Sequence, residues 1–365
     1  MKNHEGMNYD IVIVGAGPAG STFAREIGNR GLKIVIIDGQ SVLPNKPCGG
    51  LLAPDAQKLM AGYDLVLPKE VLADPQIFSV RTIDLEKNIE RFYQRYYLNM
   101  DRHQFDAYLL SLVPEEVERI NGSVMKITEM AGSHKDRESD NARFKLDVMT
   151  EGGKAVTLTA RYVVGADGAA SVVRKSFYKI PILRYVAIQQ WFKIDMPPKT
   201  YYSCIFDEKT SESCSWTIHK NGYFIYGGCF KPKGCRQAFE TQKKRLSAYL
   251  NYDFGEPIMT EACLACRPRK MKDFVTGKDG AWLIGEAAGF ISASSLEGIS
   301  FAIKSGSMLA DAFNRGKSSR EITSIYKKNA LSLKLKLLTK VIKHKVIFTP
   351  WIRKIIMKSG IQSIK

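Results

Sequence analysis

The sequence predicts an α/β (α+β) fold in which a discontinuous α/β domain encloses an inserted β-sheet domain and a basic helical tail follows. Three observations predict this arrangement. Glycine-rich turns occur at 15–20, 165–168 and 285–289, each directly after a short apolar run typical of a buried strand. A β-type region rich in Tyr, Trp and Phe lies between the second and third turns, and lysines interleave with apolar residues at the C-terminal end.

The first glycine-rich turn has the context of a βαβ unit. An apolar run at 9–14 precedes it, a predicted helix at 21–29 follows, and a second apolar run at 33–37 ends at an aspartate. In such a unit the first glycine makes a tight turn, the second admits a pyrophosphate, and the third packs helix on strand. The helix N-terminus attracts phosphate, and the aspartate accepts a ribose hydroxyl. The residues predicted to hold a dinucleotide are Gly15, Gly17, Pro18, Ala19, Gly20 and Asp38.

The second and third turns narrow this prediction to one cofactor. Gly165-Ala166-Asp167-Gly168 follows a predicted strand at 160–164, and Gly285-Glu286 follows another at 281–284. Three such turns at these separations indicate FAD, held by a Rossmann-like domain of the glutathione reductase type.

The order of the segments predicts the domain organisation. The FAD-binding domain is predicted to comprise residues 1–75, 98–180 and 270–320. Residues 76–97 and 181–269 form the predicted substrate domain, and residues 321–365 form the basic helical C-terminal segment. Within the first domain, Asp101 is predicted to cap a helix that runs to about residue 112, and a polar hairpin is predicted at 134–142.

The net charge of +17 is concentrated in the tail. Residues 322–365 contain eleven Lys or Arg and no acidic residue, which leaves about +6 for the rest of the chain. Basic and apolar residues with a tryptophan suit a helix on an anionic membrane surface. A pair of helices that cover the fold and leave their lysines in water is an equal alternative. No recognised nucleic-acid-binding module accompanies the charge, so nucleic acid is not an expected partner.

The seven cysteines are expected to be reduced thiols. Their number is odd, the N-terminal residues have no export signal, and no apolar stretch is long enough to span a bilayer. We therefore expect a cytoplasmic protein, peripheral on the membrane at most. Cys263 and Cys266 have metal-like local spacing, but no suitable second pair accompanies them, so no metal site is predicted.

The motifs together resemble the p-hydroxybenzoate hydroxylase-like superfamily and, within it, the geranylgeranyl reductase family of FAD-dependent oxidoreductases. The resemblance rests on the glycine-rich turns, on Arg102 in an Arg-x-x-Phe-Asp pattern, and on Cys48-Gly49-Gly50. It implies that Arg102 lies along the FAD pyrophosphate and that Cys48, Gly49 and Gly50 lie over the isoalloxazine ring. It also implies FAD contacts for Asp167, Gly168, Gly285, Glu286, Gly298 and Ile299.

Two positions in these motifs carry open alternatives. Glu286 stands where the family has Asp, so its side chain is one methylene longer at the ribityl position. Cys48 either positions substrate or relays a proton, or it fills space against the flavin.

Ser294 and Glu297 have the spacing of a capping box and predict a helix from about residue 296 to 313, aimed at the flavin.

The resemblance also implies substrate-side residues. The family has a Tyr-x-Trp-x-Phe-Pro-Lys pattern, and this chain has Trp216 and Lys220 at matching positions but departs at Cys214, Ile218 and His219. Cys48, Trp216 and Lys220 are the predicted catalytic residues. His219 is either an acid in the site or a packing residue.

The expected activity is reduction of carbon–carbon double bonds in a prenyl lipid or another apolar substrate. An FAD-dependent monooxygenase acting on an aromatic or lipid substrate is the alternative, and a non-catalytic flavin-bound membrane-surface protein is a third hypothesis. The sequence has no second Gly-x-Gly-x-x-Gly unit for a nicotinamide cofactor. Two alternatives are open for the electron donor: NAD(P)H that binds transiently, and a ferredoxin-like donor protein.

Overall fold

A computed structural model describes residues 4–39, 46–130, 142–194 and 197–359. The predicted hairpin tip at 134–141 and residues 360–365 of the predicted tail lie outside the described residues. The strands are β1 Asn8–Val14, β2 Ile34–Asp38, β3 Leu51–Leu52, β4 Ile77–Asp84, β5 Ile89–Asn99, β6 Glu118–Glu129, β7 Phe144–Thr150, β8 Ala155–Gly165, β9 Leu183–Lys193, β10 Tyr201–Phe206, β11 Ser215–Lys220, β12 Tyr223–Phe230, β13 Met259–Arg267, β14 Gly277–Lys278 and β15 Ala281–Leu283. The helices are α1 Pro18–Ile27, α2 Pro54–Ala61, α3 Arg102–Ser111, α4 Val172–Phe177, α5 Cys235–Leu250, α6 Ile299–Arg315, α7 Ser319–Ile347 and α8 Pro350–Lys358.

The first sheet has a parallel layer in the order β6-β2-β1-β8-β15. Its central strands are buried on both faces: Ile11, Val12, Ile13 and Val163 are fully buried, in one core cluster that also includes residues of α1, α6 and α7 and of strand β7. Strands β6, β7 and β8 also form an antiparallel meander, in which β6 and β8 are long enough to take part in both layers. This arrangement confirms the predicted α/β class.

The strand register brings the three glycine-rich turns to one edge of this sheet. Val14 lies opposite Gly165 across the β1–β8 pair, and Gly165 lies opposite Leu283 across the β8–β15 pair. Each strand therefore ends at the same level, and the turn that follows each one lies beside the other two. Ligands of open α/β sheets bind outside the carboxyl ends of the strands, so this edge is the place where a nucleotide is expected.

The second sheet has eight strands in the order β13-β9-β12-β11-β10-β4-β5-β3. All its pairings are antiparallel except that between β10 and β4. Helix α5 covers one face, where Phe239 and Leu246 pack against Phe192, Phe230 and other buried rings. Apart from β3, its strands come from the two segments predicted as the substrate domain, although β5 runs two residues beyond the predicted limit; the domain boundaries themselves stay a prediction.

Helix α7 connects the two sheets. In its first half, Tyr326 donates a hydrogen bond to the Leu283 carbonyl at 2.9 Å, and Thr323 accepts one from the Trp282 indole at 3.0 Å. At its other end, Ile347 belongs to an apolar cluster of the second sheet. Most of the basic tail therefore packs on the protein.

Not every apolar residue of the tail faces the core. Tyr326, Ala330, Leu333, Leu337 and Val341 form a buried stripe on α7. A second stripe, which we call the exposed tail stripe, consists of Leu331, Leu335, Ile342, Val346, Trp351 and Ile355, all more than a third exposed. Its α7 members follow helical spacing, so they share one face that the fold leaves uncovered.

The capping box predicted from Ser294 and Glu297 is wrong. Helix α6 begins at Ile299, and its N-cap is Gly298, which has no side chain to accept a hydrogen bond. The preceding residues form a separate turn in which the Ser292 carbonyl accepts from the Leu296 amide at 2.9 Å. Leu296 has a φ of +54°, which is incompatible with a helix, so the helix starts three residues later than expected. In contrast, Asp101 caps α3 as predicted, accepting from the amides of His103 and Gln104.

A buried ion pair fixes α8 on the second sheet. The Arg353 guanidinium is 1% exposed, lies 2.8 Å from an Asp84 carboxylate oxygen, and also contacts Glu208. Asp84 is itself fully buried, so its charge depends on this partner and on the amides of Glu86 and Lys87.

We expect the substitution Arg353→Met to lower the free energy of unfolding by about 3 kcal/mol, because it leaves the buried Asp84 carboxylate without its counter-charge. Urea unfolding measures this loss. Lys354→Met, at the exposed neighbouring position, is the matched control and should change stability by less than about 0.5 kcal/mol. Equal stability of the two variants would contradict a structural role for the buried pair.

Candidate functional site

A cavity of about 690 Å³ begins at the edge where the three turns meet and extends between the two sheets to α7. Its volume lies in the range of cofactor and ligand sites. Most of the predicted site residues line it: Gly15, Gly17, Pro18, Ala19, Asp38, Cys48, Gly49, Gly50, Arg102, Asp167, Gly168, Trp216, Glu286, Gly298 and Ile299. Gly20, Gly285 and Lys220 do not line it and lie behind its wall.

The first turn has the geometry that a pyrophosphate needs. Gly15 has a φ of +105°, and a Cβ there would lie 2.6 Å from the Ala166 carbonyl oxygen of the neighbouring turn. Gly17 is different: a Cβ there would meet no protein atom within 4 Å, because the residue faces the cavity. The same residue is the N-cap of α1 and offers no side-chain acceptor, so the first amides of α1 stay available to a phosphate.

The second turn presents a carboxylate to the cavity. One oxygen of Asp167 accepts a hydrogen bond from the Val172 amide at 2.6 Å. The other is buried and has no hydrogen-bond partner among the described residues. Burial raises the pKa of this carboxyl, although the amides of Val172 and Val173 oppose the shift. A buried polar atom without a protein partner next to the three turns is the feature expected where a bound cofactor supplies the missing contact.

Arg102 is held in place before any ligand binds. Its guanidinium forms two parallel hydrogen bonds with Asp106, at 2.8 and 3.0 Å. The pair uses two of its five N–H donors, and Arg102 also interacts with Cys48 beside the cavity that both residues line. Asp38, at the end of β2, lines the cavity beside the first turn, as a ribose ligand would.

Both carboxylate oxygens of Glu286 have protein partners. One lies 2.8 Å from the Lys46 ammonium, and the other accepts from the Cys266 amide at 2.8 Å. The nearby Glu286 raises the pKa of Lys46, although burial opposes the shift. The longer side chain thus reaches across to β13, and a direct bond from Glu286 to the ribityl chain stays a prediction. Sequence reasoning missed Lys46, for which the only signal was a basic residue just before Cys48.

Lys220 supports the segment Cys48–Gly50 from behind. Its ammonium donates hydrogen bonds to the Gly49 carbonyl at 3.0 Å and to the Met100 carbonyl at 2.6 Å. The side chain is 3% exposed, and burial lowers its pKa to about 8. Gly49 itself lies against Ile218, whose Cδ1 would be 2.7 Å from an added Cβ. Lys220 is therefore placed to position this segment rather than to contact a ligand.

Trp216 forms a wall of the cavity and is fixed by a chain of hydrogen bonds. Its indole donates to Gln189 at 3.1 Å, and the Gln189 amide donates to Glu261 at 3.1 Å. Trp191 donates to the same carboxylate at 2.9 Å. Sequence reasoning missed Gln189 and Glu261, because they lie on β9 and β13 and meet Trp216 only through strand pairing.

His219 is a packing residue rather than an acid in the site. It is 6% exposed, does not line the cavity, and packs against Phe224 in a tilted arrangement with ring centroids 4.8 Å apart. Burial and the nearby Lys199 lower its pKa to about 4, so the ring is neutral near pH 7.

Five of the seven cysteines line the cavity: Cys48, Cys204, Cys214, Cys229 and Cys263. Burial raises the pKa of Cys263 to about 11, which keeps this residue a neutral thiol near pH 7. Among the described residues, no group of three or more His, Cys, Asp or Glu side chains is arranged to hold a metal ion.

These features fit FAD. One end of the cavity has three groups suited to a dinucleotide: the N-terminus of α1 for phosphate, the Asp38 carboxylate for ribose, and the Arg102 guanidinium. Beyond the Cys48–Gly50 segment, the cavity is lined mainly by apolar residues.

Comparison with known proteins identifies the family. Residues 8–334 match the family described as FAD binding domain, and the chain belongs to this family of FAD-binding proteins. Its relatives include Protein CbrA of Escherichia coli strain K12, which is 42% identical over 364 residues, with 98% of each chain covered. FAD is therefore the cofactor of this flavoprotein, as predicted.

Solved structures share the fold. A geranylgeranyl bacteriochlorophyll reductase-like protein from Thermoplasma acidophilum has a TM-score of 0.74 and 18% identity, covering 96% of this chain and 90% of that one. PqsL, a probable FAD-dependent monooxygenase from Pseudomonas aeruginosa, has a TM-score of 0.66 and 17% identity, covering 94% and 96%. Membership of this family indicates an enzyme of the FAD-dependent oxidoreductase and monooxygenase type. Because reductases and monooxygenases share this fold, the fold does not distinguish between the two reactions.

No helix among the described residues has the length and apolar character required to cross a bilayer.

Two of the three glycines of the first turn, Gly15 and Gly17, predict opposite phenotypes. Gly17→Ala should leave the stability of the apoprotein unchanged, because the added methyl meets only empty cavity, yet weaken FAD binding roughly tenfold or more, because the methyl occupies the space of the pyrophosphate. Gly15→Ala should destabilise the apoprotein itself through strain and the contact with Ala166. Thermal unfolding of the apoproteins and flavin titration separate the two effects. If Gly17→Ala bound FAD normally, the pyrophosphate would not lie at this turn.

Lys220 predicts a pH dependence of stability. Burial lowers the pKa of Lys220 from the usual 10.5 to about 8 in the folded protein. Between pH 8 and pH 10.5 the folded protein therefore binds fewer protons than the unfolded chain. The burial penalty therefore applies fully below about pH 8 and is relieved as the pH rises to 10.5. The free energy of unfolding of the wild type, relative to Lys220→Met, should rise across this window. Lys87→Met, at an exposed turn, is the control. The difference in free energy of unfolding between the wild type and Lys87→Met should stay constant across this pH window.

Proposed function

We propose that this chain is an FAD-dependent reductase that saturates carbon–carbon double bonds of a prenyl lipid or another apolar substrate. The observation that carries the proposal is the continuation of the FAD cavity, beyond the Cys48–Gly50 segment, into a compartment walled by apolar residues. Trp216, Ile218, Phe206, Ile291 and Leu296 line that compartment. When bound and reduced, FAD supplies a hydride from its N5 atom.

The protein's own contribution is to position the reacting groups and to exclude water. Lys220 anchors the Gly49 carbonyl, and Ile218 packs against the same residue, so the segment that borders the flavin position is held from behind. Trp216, fixed through Gln189 and Glu261, offers a rigid aromatic surface to an extended apolar chain. Such a wall lowers the entropy cost of aligning an alkene.

Cys48 serves this reaction as a positioning residue. Its sulfur accepts a hydrogen bond from the Gly50 amide at 3.4 Å, which tightens the turn next to the cavity. The proton that completes the reduction comes from solvent or from a donor that enters with the substrate.

The exposed tail stripe supports a membrane-surface location for such an enzyme. Leu331, Leu335, Ile342 and Val346 lie uncovered on α7, and Lys327, Lys328 and Lys345 accompany them on the same helix. Apolar residues flanked by lysines suit an anionic lipid surface. An enzyme acting on prenyl lipids from the cytoplasm would meet its substrate there.

The electron donor is either NAD(P)H that binds transiently or a ferredoxin-like protein. The net charge of +17 favours an acidic protein donor through long-range attraction.

A monooxygenase is the second candidate, and the observation that favours it is the likeness to the PqsL structure. The two reactions differ in what reoxidises the flavin. A hydroxylase consumes oxygen in step with substrate, whereas a reductase passes its electrons to the alkene without air.

The test is anaerobic. The FAD-loaded protein is reduced with dithionite, membrane lipid extract is added, and the flavin spectrum and lipid masses are recorded. We expect reoxidation together with lipids that gain two hydrogens. Trp216→Ala should slow this reoxidation at least about tenfold, because the alkene loses its aligned surface, while flavin content is retained.

The other outcomes of this test identify the competing functions. Flavin that stays reduced until air is admitted, with lipids that then gain oxygen, would establish the monooxygenase. No lipid change in either phase would oppose both enzymes and favour a non-catalytic flavin-bound membrane-surface protein. Trp282→Phe, a change behind the sheet and away from the cavity, is the control for Trp216→Ala.

A further inference from the structure

Two of the cavity-lining cysteines are neighbours in the wall of the apolar compartment. Cys204 of β10 lies opposite Trp216 of β11 in the strand register. Cys214 immediately precedes β11, two residues before Trp216. All three side chains belong to one apolar cluster of the second sheet. Strand pairing therefore places two thiols from separate segments in the wall that carries the Trp216 ring.

The two thiols interact directly with one another. The contact with Cys204 lowers the pKa of Cys214, whereas the contact with Cys214 and burial raise the pKa of Cys204. Cys214 is also the less buried of the two, and the nearby Arg267 favours its thiolate. The thiol that gives up its proton more readily is the one that attacks an oxidant. Cys214 is therefore the reactive member of the pair, and Cys204 is the thiol next to it.

A small oxidant can reach both sulfur atoms through the cavity. Cys204 and Cys214 are free cysteines, and both line the cavity. The other two cysteines of the same sheet that line it are less reactive. Burial raises the pKa of Cys229 well above its usual value and that of Cys263 to about 11. Of these four thiols, Cys214 alone has a lowered pKa.

We propose that Cys204 and Cys214 form a redox-active pair that hydrogen peroxide converts reversibly to a disulfide in the wall of the apolar compartment. This thiol chemistry goes beyond the proposed reductase activity and does not depend on which substrate the flavin reduces. Hydrogen peroxide is the oxidant because it is small enough to enter the cavity and forms wherever oxygen takes two electrons from a reduced flavin.

The oxidation has two steps. The Cys214 thiolate attacks one peroxide oxygen, the O–O bond breaks, and a sulfenic acid forms on Cys214. The departing hydroxide combines with the proton that Cys214 gave up, which makes one water. The Cys204 sulfur then attacks the Cys214 sulfur, the S–O bond breaks, and the hydroxyl leaves with the Cys204 proton as a second water. The two sulfur atoms together lose two electrons, and the peroxide gains them.

The second thiol protects the compartment from irreversible damage. A sulfenic acid without a neighbouring thiol is open to further oxidation to sulfinic acid, which thiol reductants do not reverse. A disulfide, in contrast, is returned to two thiols by thiol–disulfide exchange. Cys204 thereby keeps the wall next to Trp216 free of an acidic group that an apolar substrate would not tolerate.

The test maps disulfides in the FAD-loaded protein. The protein is treated with hydrogen peroxide, remaining thiols are blocked, and the denatured chain is digested with trypsin and analysed by mass spectrometry without reduction. Trypsin places Cys204 on peptide 200–209, Cys214 on peptide 210–220, and Cys229 on a third peptide. We expect the first two peptides to be joined, and dithiothreitol to separate them.

Three variants separate the roles of the thiols. Cys204→Ser should abolish the joined peptides and allow dimedone to trap a sulfenic acid at Cys214. Cys214→Ser should slow the loss of the Cys204 thiol at least about tenfold, because burial keeps that thiol protonated. Cys229→Ser, at another cysteine of the same wall, is the matched control and should leave the joined peptides unchanged. A normal flavin content verifies that each variant is folded.

Two results would overturn the proposal. One is a disulfide that joins Cys214 to Cys229 in place of Cys204. The other is a pair of intact thiols after a peroxide treatment that fully oxidises free glutathione in a parallel sample. Neither result depends on turnover, so a failure of the proposed reductase activity is seen separately, in the anaerobic assay.

Discussion

The constraint on which the rest of this structure depends is the common level at which β1, β8 and β15 end. Val14, Gly165 and Leu283 are paired across neighbouring strands, so the three turns that follow them meet at one sheet edge. A shift of one residue in either pairing would move one turn away from the others and place apolar side chains on the wrong face of the strand. The cofactor cavity exists because these pairings are fixed by burial on both faces of the sheet.

The second sheet and α7 complete the cavity from the other side. β11 carries Trp216 and Ile218 against the Cys48–Gly50 segment, and α7 crosses from the first sheet to the second. One helix thereby presents three surfaces: a buried stripe, an edge that lines the cavity, and the exposed tail stripe. The two alternatives for the tail, packing on the fold and contact with a membrane, concern different faces of the same helix. The packing of the buried stripe is observed, and lipid contact by the exposed stripe is a proposal.

Several polar groups of the site already have protein partners. Arg102 is paired with Asp106, Glu286 with Lys46, and Trp216 with Gln189. Such pairing fixes the direction of each side chain and lowers the cost of ordering it when a ligand binds. Lys220 was predicted to be catalytic, but its ammonium donates hydrogen bonds to two backbone carbonyls. It therefore acts on the site through the Cys48–Gly50 segment that it positions.

The sequence by itself determined the α/β class and the FAD cofactor, and it predicted many of the residues that line the cavity, because glycine turns and strand periodicity are local properties of the chain. It also predicted the cap at Asp101 correctly. It failed at Ser294 and Glu297, where the spacing of a capping box occurs in a turn that the positive φ of Leu296 separates from the helix.

Tertiary structure alone decided which distant residues meet. Lys46 reaches Glu286, Gln189 orients Trp216, and Arg353 of α8 pairs with Asp84 of β4. No local sequence pattern predicts such contacts, because each depends on strand register or on the position at which a helix crosses a sheet. The physical reason is that backbone conformation follows from neighbours in sequence, whereas electrostatic and packing partners follow from neighbours in space.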